Sequence, residues 1–147
     1  MTITLAQAST LVDAALAEAR RRTLQPLSVA VLDPGGHVVA FKREDNSGII
    51  RFDIAFGKAW ATLGMGFGGR TLAERATKAP VFFGALIAAS EGRMVPARGG
   101  VLIRNAAGAV VGAVGITGDT SEQDEACALV GIAAAGLVAD PGASPPA

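Results

Sequence analysis

Hydrophobic positions near the start of the chain follow a helical period. Apolar residues recur every three or four positions across residues 4–23, which places them on one stripe of a helix. Arg20, Arg21 and Arg22 occupy the last turn, where positive charge complements the carbonyl end of the helix dipole. The pattern therefore predicts an amphipathic helix that ends before Pro26.

Two later segments have the pattern of β-hairpins. Residues 28–33 are apolar at successive positions, which is typical of a strand covered on both faces. A Pro-Gly-Gly turn follows, and residues 38–42 return as the partner strand. Residues 99–104 and 109–117 repeat this arrangement around a second turn. We therefore expect an α+β fold whose antiparallel sheet is built from two hairpins with flanking helices.

Helical patterns lie between the two hairpins. Residues 51–65 are apolar around most of a helix, so this helix is expected to be buried on several sides. Thr71 followed by Glu74 is the pattern of a capping box, which predicts a short helix ending near Lys78. Residues 81–90 are predicted to form another helix.

The C-terminal region is predicted to contain one more helix and a tail. Ser121 with Asp124 indicates an N-cap, and the helix is expected to run to about Ala139. Residues 1–139 then form a single domain. Residues 140–147 are rich in Pro, Ser and Ala, which predicts a disordered tail.

Composition limits the classes of function. The chain has 147 residues, of which half are hydrophobic and 18% charged, against about 25% charged in average domains. We therefore expect an even-numbered homo-oligomer, with helix 51–65 or the C-terminal helix at an interface. Zero net charge without a basic stripe argues against a nucleic-acid partner, and the absence of a long apolar run argues against a membrane partner. The single cysteine, Cys127, and the lack of a signal-like N-terminus predict a cytoplasmic protein.

Three segments resemble one protein family. VAVLDPGGHVVAFKRED has an Asp before a Gly-Gly turn and an Arg after the return strand, and IAFGKAWAT is a helix with a central Lys58. PARGGVLIRNAAGAVVGAVGITGDTSEQDEACA covers the second hairpin and the next helix start. Together these segments resemble the GlcG/HbpS-like (DUF336) proteins over about residues 4–138. The resemblance implies a profilin-like fold and a homo-oligomer, with haem as the candidate cofactor because several members bind it.

Four residues of the matching segments are candidates for contact with an anionic ligand. Lys58 on an apolar helix is costly to bury unless it is paired, so it meets either a carboxylate of the protein or an anionic substrate. Arg98, Gly99 and Gly100 enter a strand, and an arginine beside exposed amides can also hold a carboxylate or propionate.

Three carboxylates begin the C-terminal helix. Glu122, Asp124 and Glu125 complement the helix dipole. If Asp124 caps the helix, Glu122 and Glu125 are free to contact a ligand or to transfer protons. The preceding strand has a face of small residues around Gly115, which must be filled by a large side chain or by a ligand. We therefore expect the ligand between helix 51–65 and the second hairpin.

His37 is the only histidine in the chain. Haem iron takes His, Cys, Met or Tyr as axial ligands, and the chain contains no tyrosine. His37 is therefore either the nitrogen ligand of an iron or an exposed turn residue. A closed structural zinc site is excluded because the sequence has no cluster of His and Cys.

Three functions stay open at this point. The first is an oligomeric small-molecule-binding protein whose ligand is haem or another planar anionic molecule, with Lys58 and Arg98 meeting its carboxylates. The second is a cofactor-independent enzyme of the isomerase, hydratase or lyase type acting on a small organic acid, with Lys58 and Glu122 as the acid–base pair. The third is a non-catalytic accessory subunit.

Overall fold

A computed structural model of the chain describes residues 1–143. Within that range the chain forms five helices and five strands. In order they are α1 (Leu5–Arg21), β1 (Ser28–Leu32), β2 (Val38–Arg43), α2 (Arg51–Met65), α3 (Gly69–Lys78), α4 (Pro80–Ala89), β3 (Gly100–Arg104), β4 (Val110–Thr117), α5 (Ser121–Ala134) and β5 (Val138–Asp140). The α+β fold with two hairpins and flanking helices is confirmed.

The five strands form one antiparallel sheet in the order β2-β1-β4-β3-β5. The two predicted hairpins are its halves, and they join where β1 pairs with β4, for example Ala30 with Gly115. β1 is buried at every position, as its continuous apolar sequence predicts.

Helices cover the two faces of the sheet unequally. α1 and α5 pack together on one face, where Leu11 and Ile132 meet Val114 and Ile116 in the main core. α2 lies alone on the other face, against Leu32, Leu102 and Ala113. The central strands are therefore enclosed, and α2 is positioned between the sheet and the remaining helices.

The C-terminal helix is shorter than its sequence predicts. α5 ends at Ala134, and Gly136 adopts a left-handed conformation (φ +74°), which turns the chain into β5. The disordered tail was expected to begin at residue 140. In the structure Asp140 ends β5, the Arg70 amide donates to the Pro141 carbonyl (2.9 Å), and the Ala143 amide donates to Thr71 Oγ1 (2.9 Å). The rest of the predicted tail, 144–147, lies outside the described residues.

Both predicted helix caps differ in the structure. α3 begins at Gly69 with Gly68 as its N-cap, so Thr71 lies inside the helix and the capping box is wrong. α5 is capped by Thr120, whose hydroxyl accepts from the amide of Gln123 (3.3 Å). This leaves the carboxylate of Asp124 available for other partners.

Candidate functional site

Lys58 and Asp124 form a buried ion pair between α2 and α5. The Lys58 Nζ lies 3.3 Å from Asp124 Oδ2 and donates to the Ile116 carbonyl at 2.9 Å. Burial lowers the pKa of Lys58 and raises the pKa of Asp124, while the attraction within the pair opposes both shifts. Of the two partners expected for Lys58, a carboxylate of the protein and an anionic substrate, the structure shows the first.

Glu125 is the centre of a second ion-pair cluster. Its buried carboxylate accepts from Arg70 Nε (2.9 Å) and Nη2 (2.8 Å), and from Arg98 Nη2 (2.8 Å). Arg98 Nη1 also lies 3.7 Å from Glu122, whose side chain is 65% exposed. The hydrogen bond that Arg98 donates to Glu125 raises the pKa of Arg98. Among the described residues the buried Arg98 Nε has no hydrogen-bond partner.

Arg70 was not predicted as a site residue. It directly follows a glycine-rich segment, residues 66–69, and no acidic residue lies at helical spacing before it. That loop packs against the C-terminal segment, and a Cβ on Gly68 would overlap the backbone of Pro141. The contact between Arg70 and Glu125 could not be predicted from their spacing in the sequence, because it depends on how α3 and α5 pack in the folded chain.

Gly99 and Gly100 allow β3 to approach this region closely. A Cβ on Gly99 would lie 2.9 Å from Lys58 Nζ, and one on Gly100 would lie 2.5 Å from the Lys58 carbonyl oxygen. Gly99 also has a φ of +101°, which L side chains rarely adopt. Both glycines therefore have a packing role beside the Lys58–Asp124 pair.

The face around Gly115 is filled by protein. A Cβ on Gly115 would overlap the carbonyl oxygen of Ala55, because the α2 backbone lies directly on β4. The small side chains of β4 are thus matched by close approach of a helix. The structure leaves no room at Gly115 for the ligand that the sequence placed between α2 and the second hairpin.

The β1–β2 turn contains a different set of chemical groups. The Asp33 carboxylate accepts from the amides of Gly35 (2.9 Å) and His37 (3.0 Å), and its Oδ1 lies 3.1 Å from His37 Nδ1. The His37 backbone hydrogen bond is the main cause of the lowered pKa of Asp33. The His37 imidazole is 79% exposed and, within residues 1–143, hydrogen-bonds only through Nδ1. Its Nε2 is therefore the nitrogen available to a ligand.

An apolar depression lies between this turn and the C-terminal half of α2. It has a volume of about 140 Å³ and is lined by Pro34, Gly35, Gly36, Trp60, Leu63 and Gly64. A neighbouring depression of about 230 Å³ shares Trp60 and Gly64 and is completed by Met65, Leu86, Ala89, Ser90 and Met94. The guanidinium carbon of Arg93 lies 4.8 Å from the centroid of the Trp60 ring. No local pattern in the sequence predicts this contact between Arg93 and Trp60.

The structure separates the predicted site residues into two groups. Lys58, Arg98, Gly99, Glu122 and Glu125 come together at the start of α5, whereas His37 lies at the turn between β1 and β2. Residues 1–143 contain no group of three or more His, Cys, Asp or Glu side chains placed to hold a metal ion. No helix in that range is both long and apolar enough to cross a bilayer.

These observations define a small α+β domain with an oriented histidine beside an apolar depression. The profile of the family described as "Haem degrading protein HbpS-like" matches residues 3–133. The "uncharacterized 15.0 kDa protein in dhaT-dhaS intergenic region" of Citrobacter freundii is 32% identical over 124 residues, 84% of each chain. The chain therefore belongs to the HbpS-like family, as its sequence resemblance predicted.

Two crystal structures have the same fold. The PduOC:haem complex has a TM-score of 0.84 at 24% identity, with 94% of this chain and 98% of the other covered. The ORFY protein of Klebsiella pneumoniae has a TM-score of 0.83 at 26% identity, with 92% of both chains covered. The fold thus extends over nearly the full length of both relatives.

Proposed function

We propose that this chain is an oligomeric protein that binds haem, or another planar anionic organic molecule, at the depression between His37 and Trp60. One observation carries the proposal: Asp33 orients the exposed imidazole of His37, and this ring lies against Gly35, which lines an apolar depression. Two comparisons support it. The family is described as haem degrading, and PduOC, which has the same fold, has been solved as a haem complex.

The residues at the depression fit a haem group. A histidine that ligates a metal usually has its other ring nitrogen held by a carboxylate, which is the position of Asp33 on His37. Trp60 and Leu63 offer apolar surface to the edge of a porphyrin, and the Trp60 indole is itself fixed against Gly36, where an added Cβ would lie 3.2 Å from the ring. Arg93 is close enough to Trp60 to pair with a propionate. Haem would supply the iron, while these side chains bind and orient it.

The size of the depression explains why the proposal includes an oligomer. Pockets for organic ligands usually have volumes of roughly 300–1,000 Å³. The two depressions at Trp60 measure about 140 and 230 Å³. One protomer therefore holds part of a porphyrin, and a second subunit is needed for the remaining wall.

Other predictions made from the sequence gain no support from the geometry. The residues predicted to contact a ligand at the start of α5 and at Gly115 instead contact other parts of the protein. They are Lys58, Arg98, Gly99, Gly100, Gly115, Glu122 and Glu125. An acid–base enzyme would use Lys58 with Glu122, but Lys58 bonds Asp124 instead. The enzyme, the accessory subunit and the cytoplasmic location stay predictions.

Haem titration tests the proposal. We expect ferric haem to give a saturable shift of the Soret band with the wild-type chain and an altered, weaker spectrum with His37→Ala. Glu122→Gln, an exposed member of the cluster at α5, is the control and should bind like the wild type. Iron-free protoporphyrin tests binding at the apolar depression separately from ligation of iron by His37, since it has no metal to ligate.

Two results would contradict this proposal. A wild-type chain without a saturable change on addition of either haem or protoporphyrin does not bind a planar anionic ligand of this kind. A His37→Ala spectrum identical to that of the wild type removes His37 as the axial ligand. Saturable binding that Glu122→Gln abolishes would place the ligand at α5 instead.

A further inference from the structure

The outward face of α4 is apolar. The helix has the sequence PVFFGALIAA, with no charged or hydrogen-bonding side chain. Val81 is 88% exposed and Phe82 57%, whereas Phe83 turns inward and packs with Leu72 and Met94. A helix on the surface of a globular protein normally presents polar residues to water. The composition of α4 therefore favours contact with another apolar surface.

One side of α4 carries mostly small residues. Val81, Gly84, Ala85 and Ala88 are exposed and share one side of the helix through their three- and four-residue spacing. Glycine inside a helix is less favourable than alanine by about 1 kcal/mol. A Cβ on Gly84 would meet no atom within 4 Å, so packing within the protomer does not require glycine there. Small residues on this side allow a second helix to approach closely.

A groove beside α4 provides a complementary surface. A depression of about 300 Å³ lies between α3 and α4, lined by Met65, Arg75, Lys78, Ala79, Phe82 and Phe83. Four of these residues are apolar and two are cations. Antiparallel pairing of two α4 helices brings the C-terminal end of the second helix, with its exposed Ala88 and Ala89, to this groove.

Charged side chains flank α4 at both ends, and at the C-terminal end the exposed Glu91 is followed by Arg93, which lies over Trp60. Arg75 and Lys78 precede the helix in the last turn of α3, and the exposed Glu91 follows it. Lys78 already contacts Glu74 at 2.8 Å, but such an exposed pair contributes little and leaves the ammonium open to a second carboxylate. Antiparallel pairing of two α4 helices places Glu91 of each copy near Lys78 of the other. Parallel pairing would put like charges together.

We propose that α4 packs antiparallel against α4 of a second copy of this chain, about a two-fold axis. The inference rests on the oligomeric part of the proposed function and names its contact surface. It differs from the interfaces predicted from sequence, which were helix 51–65 or the C-terminal helix. Leu86 and Ala89 of α4 also border the 230 Å³ depression at Trp60. The pairing therefore places the second copy beside the proposed ligand site.

Light scattering coupled to size-exclusion chromatography tests the pairing. Ala85→Glu puts a charge in the centre of the contact and should reduce the particle mass at micromolar concentration to half or less. Ala17→Glu is the matched control, because it changes an exposed alanine of α1 in the same way. Circular dichroism checks that both variants are folded. Gly84→Leu is a second disrupting variant whose new side chain starts in open space within the protomer.

Charge reversal tests the antiparallel arrangement. Lys78→Glu and Glu91→Lys should each weaken the dimer several-fold, and the double variant should restore the wild-type dissociation constant. A double variant no tighter than the singles overturns the antiparallel pairing.

The remaining outcomes separate this inference from the proposed function. Unchanged mass in folded Ala85→Glu and Gly84→Leu overturns the α4 contact but leaves another oligomer possible. A monomeric wild-type chain refutes both the pairing and the oligomeric part of the proposed function. Haem binding by that monomer would leave the ligand assignment standing.

Discussion

The ammonium of Lys58 lies 3.3 Å from the carboxylate of Asp124, and both groups are buried. The pair joins the middle of α2 to the first turn of α5. Removing two charges from water costs several kcal/mol for each ion, which only good geometry and further hydrogen bonds offset. Here the Ile116 carbonyl accepts from Lys58, and the Asp119 amide donates to Asp124.

Removal of the lysine should therefore destabilise the fold. Lys58→Met leaves the Asp124 charge buried without a partner and should lower the free energy of unfolding by about 3–5 kcal/mol in urea denaturation. Lys58→Met combined with Asp124→Leu removes both charges and should recover most of that loss. A single variant within about 1 kcal/mol of the wild type, or a double variant no better than the single, contradicts this account.

Glu125 and Glu122 should differ sharply although they are three residues apart. Glu125→Gln removes the buried counter-charge of Arg70 and Arg98 and should cost about 2–4 kcal/mol of stability. Glu122→Gln changes an exposed carboxylate 3.7 Å from Arg98 and should cost less than about 1 kcal/mol. Equal effects in paired denaturation curves would show that Glu125 does not organise this cluster.

The sequence predicted the need of Lys58 for a partner but not the partner itself. A lysine on an apolar helix is costly to bury, and that argument requires no structure. Ser121 and Asp124 match a capping pattern, which predicts a cap role for Asp124, whereas Thr120 is the N-cap and Asp124 pairs with Lys58. Arg70 illustrates the larger limit: its contact with Glu125 depends on how α3 packs beside α5, which local sequence does not encode.

Gly115 should be required for folding rather than for ligand entry. Gly115→Val places a side chain where the carbonyl of Ala55 lies, so α2 must move away from the sheet. We expect a loss of at least about 3 kcal/mol or failure to fold, measured by thermal and urea denaturation. Gly48→Val is the control, since its Cβ would make an ordinary contact at 3.9 Å with Arg51. A stable Gly115→Val with wild-type unfolding would mean that α2 does not pack on β4 in this way.

Cys127 should be unreactive in the folded chain. Burial raises the pKa of its thiol from 9.0 to about 11, so at pH 8 the folded protein holds about a hundredfold less thiolate than the unfolded chain. The raised pKa stabilises the folded state below pH 9, and this contribution is lost as the pH rises through about 11. Ellman's reagent should label the native protein at pH 8 far more slowly than protein in urea. Rapid stoichiometric labelling of native protein would contradict the burial of Cys127.

The sequence patterns also identified the two hairpins correctly but missed β5. Continuous apolar residues and glycine turns are local signals, and they placed β1 to β4 within one or two residues of their observed bounds. Gly136 is a local signal for the end of α5, because glycine commonly follows the last residue of a helix. The position of Trp60 had no local signal, because the two depressions it lines form between α2, the β1–β2 turn and α4.

The central claim is that a planar anionic ligand, haem first among them, binds between His37 and Trp60. The most direct measurement is an anomalous difference map at the iron absorption edge, from crystals of the chain grown with haem. The account predicts one iron peak at bonding distance from His37 Nε2, with the porphyrin against Trp60. An ordered iron beside Arg98 and Glu122, or crystals that hold no ordered haem at saturating concentration, would contradict it.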